Sequence, residues 1–370
     1  MTAISKAPRW FCGGHFFYPA MLTAIADAKS AIELETYIFT DDRIGNQFLQ
    51  ALAEAARRGV RVRVLVDAYG SLLLPDNFFA PLTACGGDVE FFNPLQFDCF
   101  GVRNHRKLLL CDGMTLFIGG ANIAEEYDGD GVARGWFDTV TRIEDAPMAR
   151  RLLEEFDRLF SHADFGPARL RKLRAFRPLR RNGESPGLFA VNPGRRAGSF
   201  QRALQEALAT SPSADLMTPY FLPRRHLRKL MRDMVKRGGR VRLILPGPCD
   251  VPLARRAGLI YYQGLLRAGV EIYEYQPQIL HAKLYRVGGT VFAGSSNLDV
   301  RSLKLNYEWM AGFTDPESLK QVKSIFEEAL RHSRRITLGE FRRSQTLWQR
   351  WGNRWAHFLL TRIDPLVALP

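Results

Sequence analysis

Apolar residues along this chain follow two alternating spacings, one typical of strands and one typical of helices. In segment 60–67 every second residue is apolar (Val62, Val64 and Val66), which predicts a strand with one buried face. The segment before it carries apolar residues three and four positions apart and ends at Gly59, which predicts an amphipathic helix. The apolar face of that helix is Phe48, Leu49, Leu52 and Ala55.

The same succession of elements returns later in the chain. Segment 213–222 (SADLMTPYFL) corresponds to segment 30–39 (SAIELETYIF), an alignment that places Tyr220 opposite Tyr37. A helix pattern and then a strand pattern follow each copy: Leu227, Leu230, Met231 and Met234, then Val241, Leu243 and Leu245 in the second. Alternating strands and helices with short connections predict an α/β sandwich in each half. Two similar halves are expected to dock about a pseudo-twofold axis.

The repeat and the composition around it divide the chain into four predicted segments. Residues 1–167 form the first half and residues 188–335 the second. A basic, Gly- and Pro-containing linker covers 168–187, and an amphipathic segment covers 336–370.

Composition narrows the partners and the compartment. The 370 residues are 46% hydrophobic and carry a net charge of +14, so the chain is globular and its surface favours polyanions such as nucleic acid or anionic lipid. The five cysteines form no C-x-x-C pair, which predicts a reducing compartment without structural disulfides or a zinc site. No apolar run approaches the ~18–20 residues that span a bilayer. We therefore expect a protein that is cytosolic or lies on a membrane surface.

Two polar motifs stand out within the repeat. The first is NHRKLLLCDGMTLFIGGAN (104–122), with His105, Lys107 and Asp112. The second is LHAKLYRVGGTVFAGSSN (280–297), with His281 and Lys283. Each places a Lys two residues after a His, then a short apolar strand and a Gly-rich turn that ends in Asn.

Phosphoryl chemistry suits this pattern. Residues i and i+2 of a strand point to one face, so each His and its Lys project together. A pseudo-twofold axis would bring both pairs to one pocket, where one imidazole attacks phosphorus and the other protonates the leaving oxygen. The lysines and the amides of Asn122 and Asn297 would donate to the phosphate oxygens. No metal-ligand cluster is visible, and we expect neither metal nor cofactor.

A carboxylate follows each motif: Asp138 in GWFDTV and Glu308 in LNYEWM. We expect each one to hold the His of its own half in the reactive tautomer. The alternative is that they are simply solvated.

The duplicated His-x-Lys motif, with four residues, Asp and a Gly-rich turn, resembles the signature of the phospholipase D superfamily. Over about residues 13–335 the chain is most similar to bacterial cardiolipin synthases of the short type, which lack N-terminal transmembrane helices. The resemblance implies two α/β/α halves with mixed sheets and a phosphohistidine intermediate that passes a phosphatidyl group to a second phosphatidylglycerol or a related alcohol. It implies a peripheral protein on the cytoplasmic face of the bacterial inner membrane, acting on phosphatidylglycerol and other phospholipids.

Matched by position, the motifs also supply Gly119, Gly120, Gly294 and Ser295. We expect Gly120, Ser295, Tyr37 and Tyr220 to contact substrate. The second copy departs from the signature because Gly288 stands where the Asp is expected. We interpret the Asp as a residue that fixes the turn, so its loss should leave activity intact; the rival interpretation is a degenerate half. His105 is the predicted nucleophile, because its motif is complete, and His281 the general acid and base.

The C-terminal segment favours a membrane over nucleic acid. Trp348, Trp351 and Trp355 recur three and four residues apart beside Arg350 and Arg354, as in a basic amphipathic helix at a bilayer interface. A helix packed on the core could show the same pattern. Three alternatives to the synthase stay open: a phospholipase D hydrolase, a nuclease or phosphodiesterase of the same superfamily, and a non-catalytic protein that binds anionic lipid. No nucleic-acid module is evident in the sequence, and the oligomeric state cannot be predicted.

Overall fold

The computed structural model describes residues 7–94, 101–163, 187–193 and 198–363. In the first half the strands are β1 (Arg9–Cys12), β2 (Ala31–Thr36), β3 (Arg61–Asp67), β4 (Asp88–Phe92), β5 (Leu108–Cys111), β6 (Thr115–Gly119) and β7 (Thr139–Glu144). Its helices are α1 (Gly14–Asp27), α2 (Arg43–Arg57), α3 (Ala80–Thr83) and α4 (Ala146–Phe160), with a 3-10 turn at Glu125–Tyr127. The predicted linker, apart from Gly187, lies outside the described residues.

The second half repeats the pattern. Its strands are β8 (Leu188–Val191), β9 (Ser213–Met217), β10 (Arg240–Pro246), β11 (Glu271–Tyr275), β12 (Leu284–Val287), β13 (Thr290–Gly294), β14 (Glu308–Phe313) and β15 (Ser333–Ile336). Its helices are α5 (Ser199–Thr210), α6 (Arg225–Lys236), α7 (Pro252–Leu259), α8 (Tyr262–Arg267), α9 (Val300–Lys304), α10 (Pro316–Arg331), α11 (Leu338–Ser344) and α12 (Leu347–Phe358). A π turn at Leu359–Ile363 follows.

Both sheets have the same strand order. The first sheet runs β1-β7-β6-β5-β2-β3-β4, and the second runs β8-β14-β13-β12-β9-β10-β11 with β15 added at its edge. In each sheet three parallel strands (β2-β3-β4 and β9-β10-β11) continue into antiparallel ones. The prediction of two similar α/β halves with mixed sheets is confirmed.

Three of the four apolar clusters in the described part of the chain define the layers. One lies between the first sheet and helices α1 and α2, and a second lies between the second sheet and helices α5 and α6. A third core joins the halves, with α4 and α10 contributing to it; its strand members include Leu108, Leu110, Ile118, Met217, Leu284 and Ala293. The two sheets therefore face each other across the interface at which the motifs lie.

The predicted helix boundaries have local causes in the structure. The side chain of Asp42 accepts a hydrogen bond from the backbone N–H of Gly45 and so begins α2, which stops just before Gly59 at φ 87°. Helices α4 and α10 begin in the same way, with Asp145 and Asp315 as caps and a proline in the first turn. Among the described residues, the longest apolar helices fall short of what is needed to cross a bilayer.

Candidate active site

Each His–Lys pair lies in an extended segment immediately before an antiparallel strand. His105 and Lys107 precede β5, and His281 and Lys283 precede β12. Strands β5 and β12 begin beside the carboxyl ends of β2 and β9. All four side chains therefore lie at the carboxyl edge of the parallel strands, where ligands bind in open α/β sheets.

Backbone hydrogen bonds between the halves fix both histidines. The N–H of His105 donates to the carbonyl of Tyr307 at 3.0 Å, and the N–H of His281 donates to the carbonyl of Phe137 at 2.8 Å. These are short parallel bridges, Asn104 with Tyr307 and Leu280 with Phe137. Tyr307 and Phe137 directly precede the two candidate carboxylates, so each bridge brings the carboxylate of one half to the histidine of the other.

The side chains show the same pairing between the carboxylate of one half and the histidine of the other. Nδ1 of His105 lies 3.0 Å from Oε2 of Glu308, and Nδ1 of His281 lies 2.6 Å from Oδ2 of Asp138. The expectation that each carboxylate holds the histidine of its own half is therefore wrong. The sequence could not show this, because the pairing depends on how the halves dock. A carboxylate at Nδ1 fixes the tautomer and leaves Nε2 as the reactive nitrogen.

Burial sets the charges of the resting site. Burial, together with Lys107 and Lys283, holds the pKa of His105 well below its usual value. Burial and Lys283 lower the pKa of His281 to about 4. Burial also lowers the pKa of Lys107 to about 7 and that of Lys283 to about 8, although carboxylates oppose this. Burial raises the pKa of Glu308 to about 8 against the effect of Lys107. Burial thus disfavours the charged forms of both histidines and both lysines, and a bound anion would favour those charged forms again.

Aromatic rings surround both histidines. The ring centroid of Tyr37 is 4.9 Å from that of His105, and Nζ of Lys107 lies 5.3 Å from the Tyr37 centroid. Tyr127 and Trp136 approach His281 with centroids at 5.2 and 5.4 Å. Sequence reasoning missed Tyr127 and Trp136. The only signal was their position between the Gly-rich turn and Asp138.

The Gly-rich turns accommodate the two carboxylates differently. A Cβ on Gly120 would overlap Oδ1 of Asp138, so only glycine leaves room for that carboxylate. On the other side Ser295 donates its hydroxyl to Glu308 and accepts from the N–H of Trp309 at 3.0 Å. Both residues thus contact a carboxylate, and neither contact by itself indicates direct substrate binding.

The two motif asparagines also differ. The amide of Asn122 donates to the hydroxyl of Tyr127 at 2.7 Å and accepts from the N–H of Ile38 at 3.2 Å. Both ends of this amide have a partner within the protein, but its NH2 group carries a second hydrogen, so its role as a phosphate donor stays a prediction. Within the described residues, Oδ1 of buried Asn297 has no hydrogen-bond partner. Asn297 stays a predicted ligand contact.

The predicted match between Tyr37 and Tyr220 is wrong by one residue. Phe39 bridges Ile123 and Phe221 bridges Leu298, the residues after the two motif asparagines. The equivalent of Tyr220 is therefore Ile38. The hydroxyl of Tyr220 donates to Asp250 on the second half, whereas Tyr37 lies against His105.

A buried ionic cluster breaks the symmetry beside the first histidine. Arg106 is fully buried, 4.1 Å above the ring of Trp309, with Glu35 and Asn192 as polar partners. Glu35 also accepts from the amide of Asn104 at 2.8 Å. The corresponding positions of the second copy are the apolar Met217, Leu280 and Ala282. The sequence signal was the contrast between Asn-His-Arg and Leu-His-Ala, which the prediction did not use.

Asp112 lies away from the site, at the far end of β5. It occupies a turn with φ 53° and accepts hydrogen bonds from the N–H groups of Lys29, Ser30 and Ala31 at 2.9, 2.7 and 3.1 Å. Gly288 takes the same turn with φ 56°, and a Cβ there would lie 2.5 Å from the hydroxyl of Ser211. These contacts support the turn-fixing interpretation and do not place Asp112 near phosphate.

Replacing Asp112 with glycine is expected to lower the free energy of unfolding by about 1 kcal/mol and to leave kcat within about threefold. Alanine should cost more, because it disfavours positive φ. Although burial opposes it, backbone hydrogen bonds lower the pKa of Asp112, so its stabilisation is complete above about pH 4 and is lost as the pH falls further. Thermal unfolding and steady-state kinetics check this; a 100-fold loss of kcat at unchanged Tm would contradict it.

The tryptophans of α12 face away from the protein. Trp348, Trp351 and Trp355 are 86%, 70% and 62% exposed, whereas Asn353 and Ala356 on the opposite face are buried. The helix does pack on the second core through Ala356, but the tryptophan stripe takes no part in this packing, and its contact with a membrane stays a prediction.

Fold, motif geometry and sequence comparisons now agree on a class. The chain matches the family described as cardiolipin synthase, PLD-like domain, over residues 21–160 and 204–330. Cardiolipin synthase B of Salmonella typhi is 33% identical over 306 residues, which cover 80% of this chain and 73% of that protein. The chain is an enzyme of the phospholipase D superfamily, of the phosphatidyltransferase class. Within it, the chain belongs to the cardiolipin synthase family.

Two further comparisons concern the length of the chain and its fold. Probable cardiolipin synthase YwiE of Bacillus subtilis is 29% identical over 88% of this chain, which spans 66% of that protein. The chain thus spans about two thirds of this relative. The structure of a phosphatidylserine synthase from Haemophilus influenzae matches with a TM-score of 0.77 and 16% identity over 99% of this chain and 95% of that one. That likeness supports the fold alone.

Proposed function

We propose that this protein is a cardiolipin synthase-type phosphatidyltransferase, which moves a phosphatidyl group from one phosphatidylglycerol to a hydroxyl of a second one or of a related alcohol. The observation that carries the proposal is the composite site: two histidines, each tied to a carboxylate of the opposite half, with a lysine beside each. Membership of the cardiolipin synthase family supports the lipid substrate.

The chemistry divides into two displacements. Nε2 of His105 attacks phosphorus, a P–N bond forms, and the P–O bond to the departing alcohol breaks as His281 gives that oxygen a proton. In the second step the hydroxyl of the acceptor gives its proton to His281 and attacks phosphorus. The P–N bond then breaks, and both histidines return to their starting states.

Contacts of the lysines support His105 as the nucleophile. Nζ of Lys283 lies 2.7 and 2.9 Å from the two ring nitrogens of His281, whereas Nζ of Lys107 donates to the backbone carbonyl of His105 at 2.8 Å. A lone pair that faces an ammonium group is a poor nucleophile. This contact favours His105 for the attack, and the acid–base role then falls to His281.

The lowered pKa values serve the same cycle. A neutral His105 is ready to attack at neutral pH. An anionic phosphodiester favours the charged forms of His281 and of both lysines, so its binding raises their pKa values. Substrate thereby creates the imidazolium that protonates the leaving oxygen.

A peripheral position on the cytoplasmic face of the bacterial inner membrane fits this substrate. The exposed tryptophans of α12, with Arg350 and Arg354 on the same exposed part of the helix, support contact with an anionic bilayer.

The test is product analysis by mass spectrometry. Purified protein is incubated with phosphatidylglycerol vesicles, alone and mixed with phosphatidylethanolamine, beside the His105→Ala protein. Cardiolipin formed only by the unaltered protein is the expected result. Phosphatidic acid as the sole product would make the protein a hydrolase, and cleavage of nucleic acid without any lipid product would make it a nuclease. Binding of vesicles without turnover would leave a lipid-binding protein.

A further inference from the structure

We propose that an anionic bilayer docks on one continuous surface around the opening of the active site. The surface consists of the tryptophan face of α12, the basic face of α6, and the apolar residues of the two loops that follow β3 and β10. We call it the docking surface. The inference rests on the proposed function, because it orients the site towards its lipid substrate.

Helix α12 forms one side of the docking surface. Its buried face packs on α7, and the two helices run in the same direction: Gly352 lies against Arg256, and His357 hydrogen-bonds the hydroxyl of Tyr261 at 2.6 Å. The amino ends of both helices therefore lie together. This places Trp348 at the end of the pair where Val251 and Leu253 are exposed.

Helix α6 supplies the charge beside it. Arg225, Arg232 and the ion-paired Lys229 are exposed along α6, a helix without an acidic residue in its first turn. The guanidinium of Arg228 lies 4.3 Å from the ring centroid of Tyr261, the same residue that hydrogen-bonds His357 of α12. Tyr261 thus joins the basic helix to the aromatic one, and the two faces adjoin.

The loops after β3 and β10 connect the docking surface to the active-site histidines. They leave equivalent parallel strands at the edge where both histidines lie. In the first half Ser71 donates to the carbonyl of Tyr37, the residue against His105, while the neighbouring Leu73 is 93% exposed. In the second half Asp250 accepts from Tyr220 next to the exposed Val251.

An anionic bilayer fits this surface better than other partners. Tryptophan is suited to the headgroup region, leucine to the acyl boundary, and arginine to anionic headgroups. The net charge of +14 has the complementary sign. A docked bilayer would bring headgroups to the edge of the sheets at which the phosphate chemistry is placed.

Vesicle sedimentation tests the docking surface without turnover. Three variants are compared on phosphatidylglycerol–phosphatidylcholine and on pure phosphatidylcholine vesicles: Trp348→Ala/Trp351→Ala/Trp355→Ala, Arg225→Gln/Arg232→Gln, and Leu72→Ser/Leu73→Ser. The control Lys320→Gln/Lys323→Gln removes the same charge from exposed positions of α10. The first two variants should bind anionic vesicles at least about tenfold more weakly, the loop variant should also bind more weakly, and the control should be unchanged.

Quenching of tryptophan fluorescence by brominated acyl chains tests whether the tryptophans of the unaltered protein enter the bilayer. We expect strong quenching. Binding equal to that of the unaltered protein in all three variants would overturn the proposal. The proposal would also be overturned if a second copy covered the tryptophan face, which light scattering would detect as a dimer. Equal affinity for the two kinds of vesicle would overturn it as well. The proposed function and the docking surface can fail separately. If the unaltered protein binds vesicles but forms no lipid product, the proposed function is wrong and the docking surface stands. If the variants bind vesicles normally and the protein forms lipid product, the docking surface is wrong and the proposed function stands.

Discussion

Replacing His105 or His281 with alanine is expected to lower kcat for phosphatidyl transfer by at least about 10³-fold, because each ring performs a proton or bond transfer that water replaces poorly. The double variant should be about as slow as each single one, because the two rings act as one unit. Thermal unfolding should show that all three proteins are folded. The control is His162→Ala, since in the described part of the chain the His162 side chain hydrogen-bonds only to its neighbours Ser161 and Arg158.

The two variants should differ on a phosphodiester with a nitrophenolate leaving group, which departs without a proton. His281→Ala should regain a large part of the first step on this substrate, and His105→Ala should not. Equal losses on both substrates for His281→Ala would contradict its role as the general acid. Recovery in His105→Ala alone would reverse the two roles.

The second large effect is expected from the carboxylates. Asp138→Asn and Glu308→Gln keep the size of the side chain but replace the carboxyl group beside each Nδ1 with an amide, which no longer fixes the tautomer of the ring. We therefore expect kcat to fall by about 10²–10⁴-fold with little change in KM. The affected histidine should lie in the other half. Asp138→Asn should change the ring ¹⁵N shifts of His281 and leave those of His105, and Glu308→Gln should do the opposite.

The ring ¹⁵N signals of His105 and His281 are assigned by their loss in His105→Ala and His281→Ala. A carboxylate variant that changes only the ¹⁵N shifts of the histidine in its own half would contradict the pairing across the halves. Ser295→Ala is a milder companion variant, because it removes the hydroxyl that donates to Glu308 but keeps the carboxylate. It should lower kcat by a smaller factor than Glu308→Gln.

Local patterns in the sequence were sufficient for the fold and for the main site residues. Alternating valines predicted β3, and helical spacing before Gly59 predicted α2. The paired motifs predicted a shared site, because polar residues that recur at matching positions of a repeat are not core residues. His105, Lys107, His281 and Lys283 do lie at the interface between the halves.

Features that depend on docking could not be predicted in this way. Whether Asp138 belongs to His105 or to His281 is decided by the bridges of Phe137 and Tyr307, which join residues far apart in the chain. The strand ladders place Ser213 in the position of Ala31, one residue away from the sequence alignment along the whole segment, so Tyr220 was matched to the wrong partner. The contacts of the Asn122 amide with Tyr127 and Ile38 also depend on the tertiary fold and could not be predicted from the motif.

The most direct test of the central claim is to trap the phosphatidyl group on the protein. His281→Ala is mixed with a phosphatidyl nitrophenol donor, quenched without acid because a P–N bond is acid-labile, and examined by intact-protein and peptide mass spectrometry. The first step should proceed and the second should lack its base, so an adduct of one phosphatidyl group should accumulate on His105. Complete consumption of the donor with no adduct on any histidine would contradict the account.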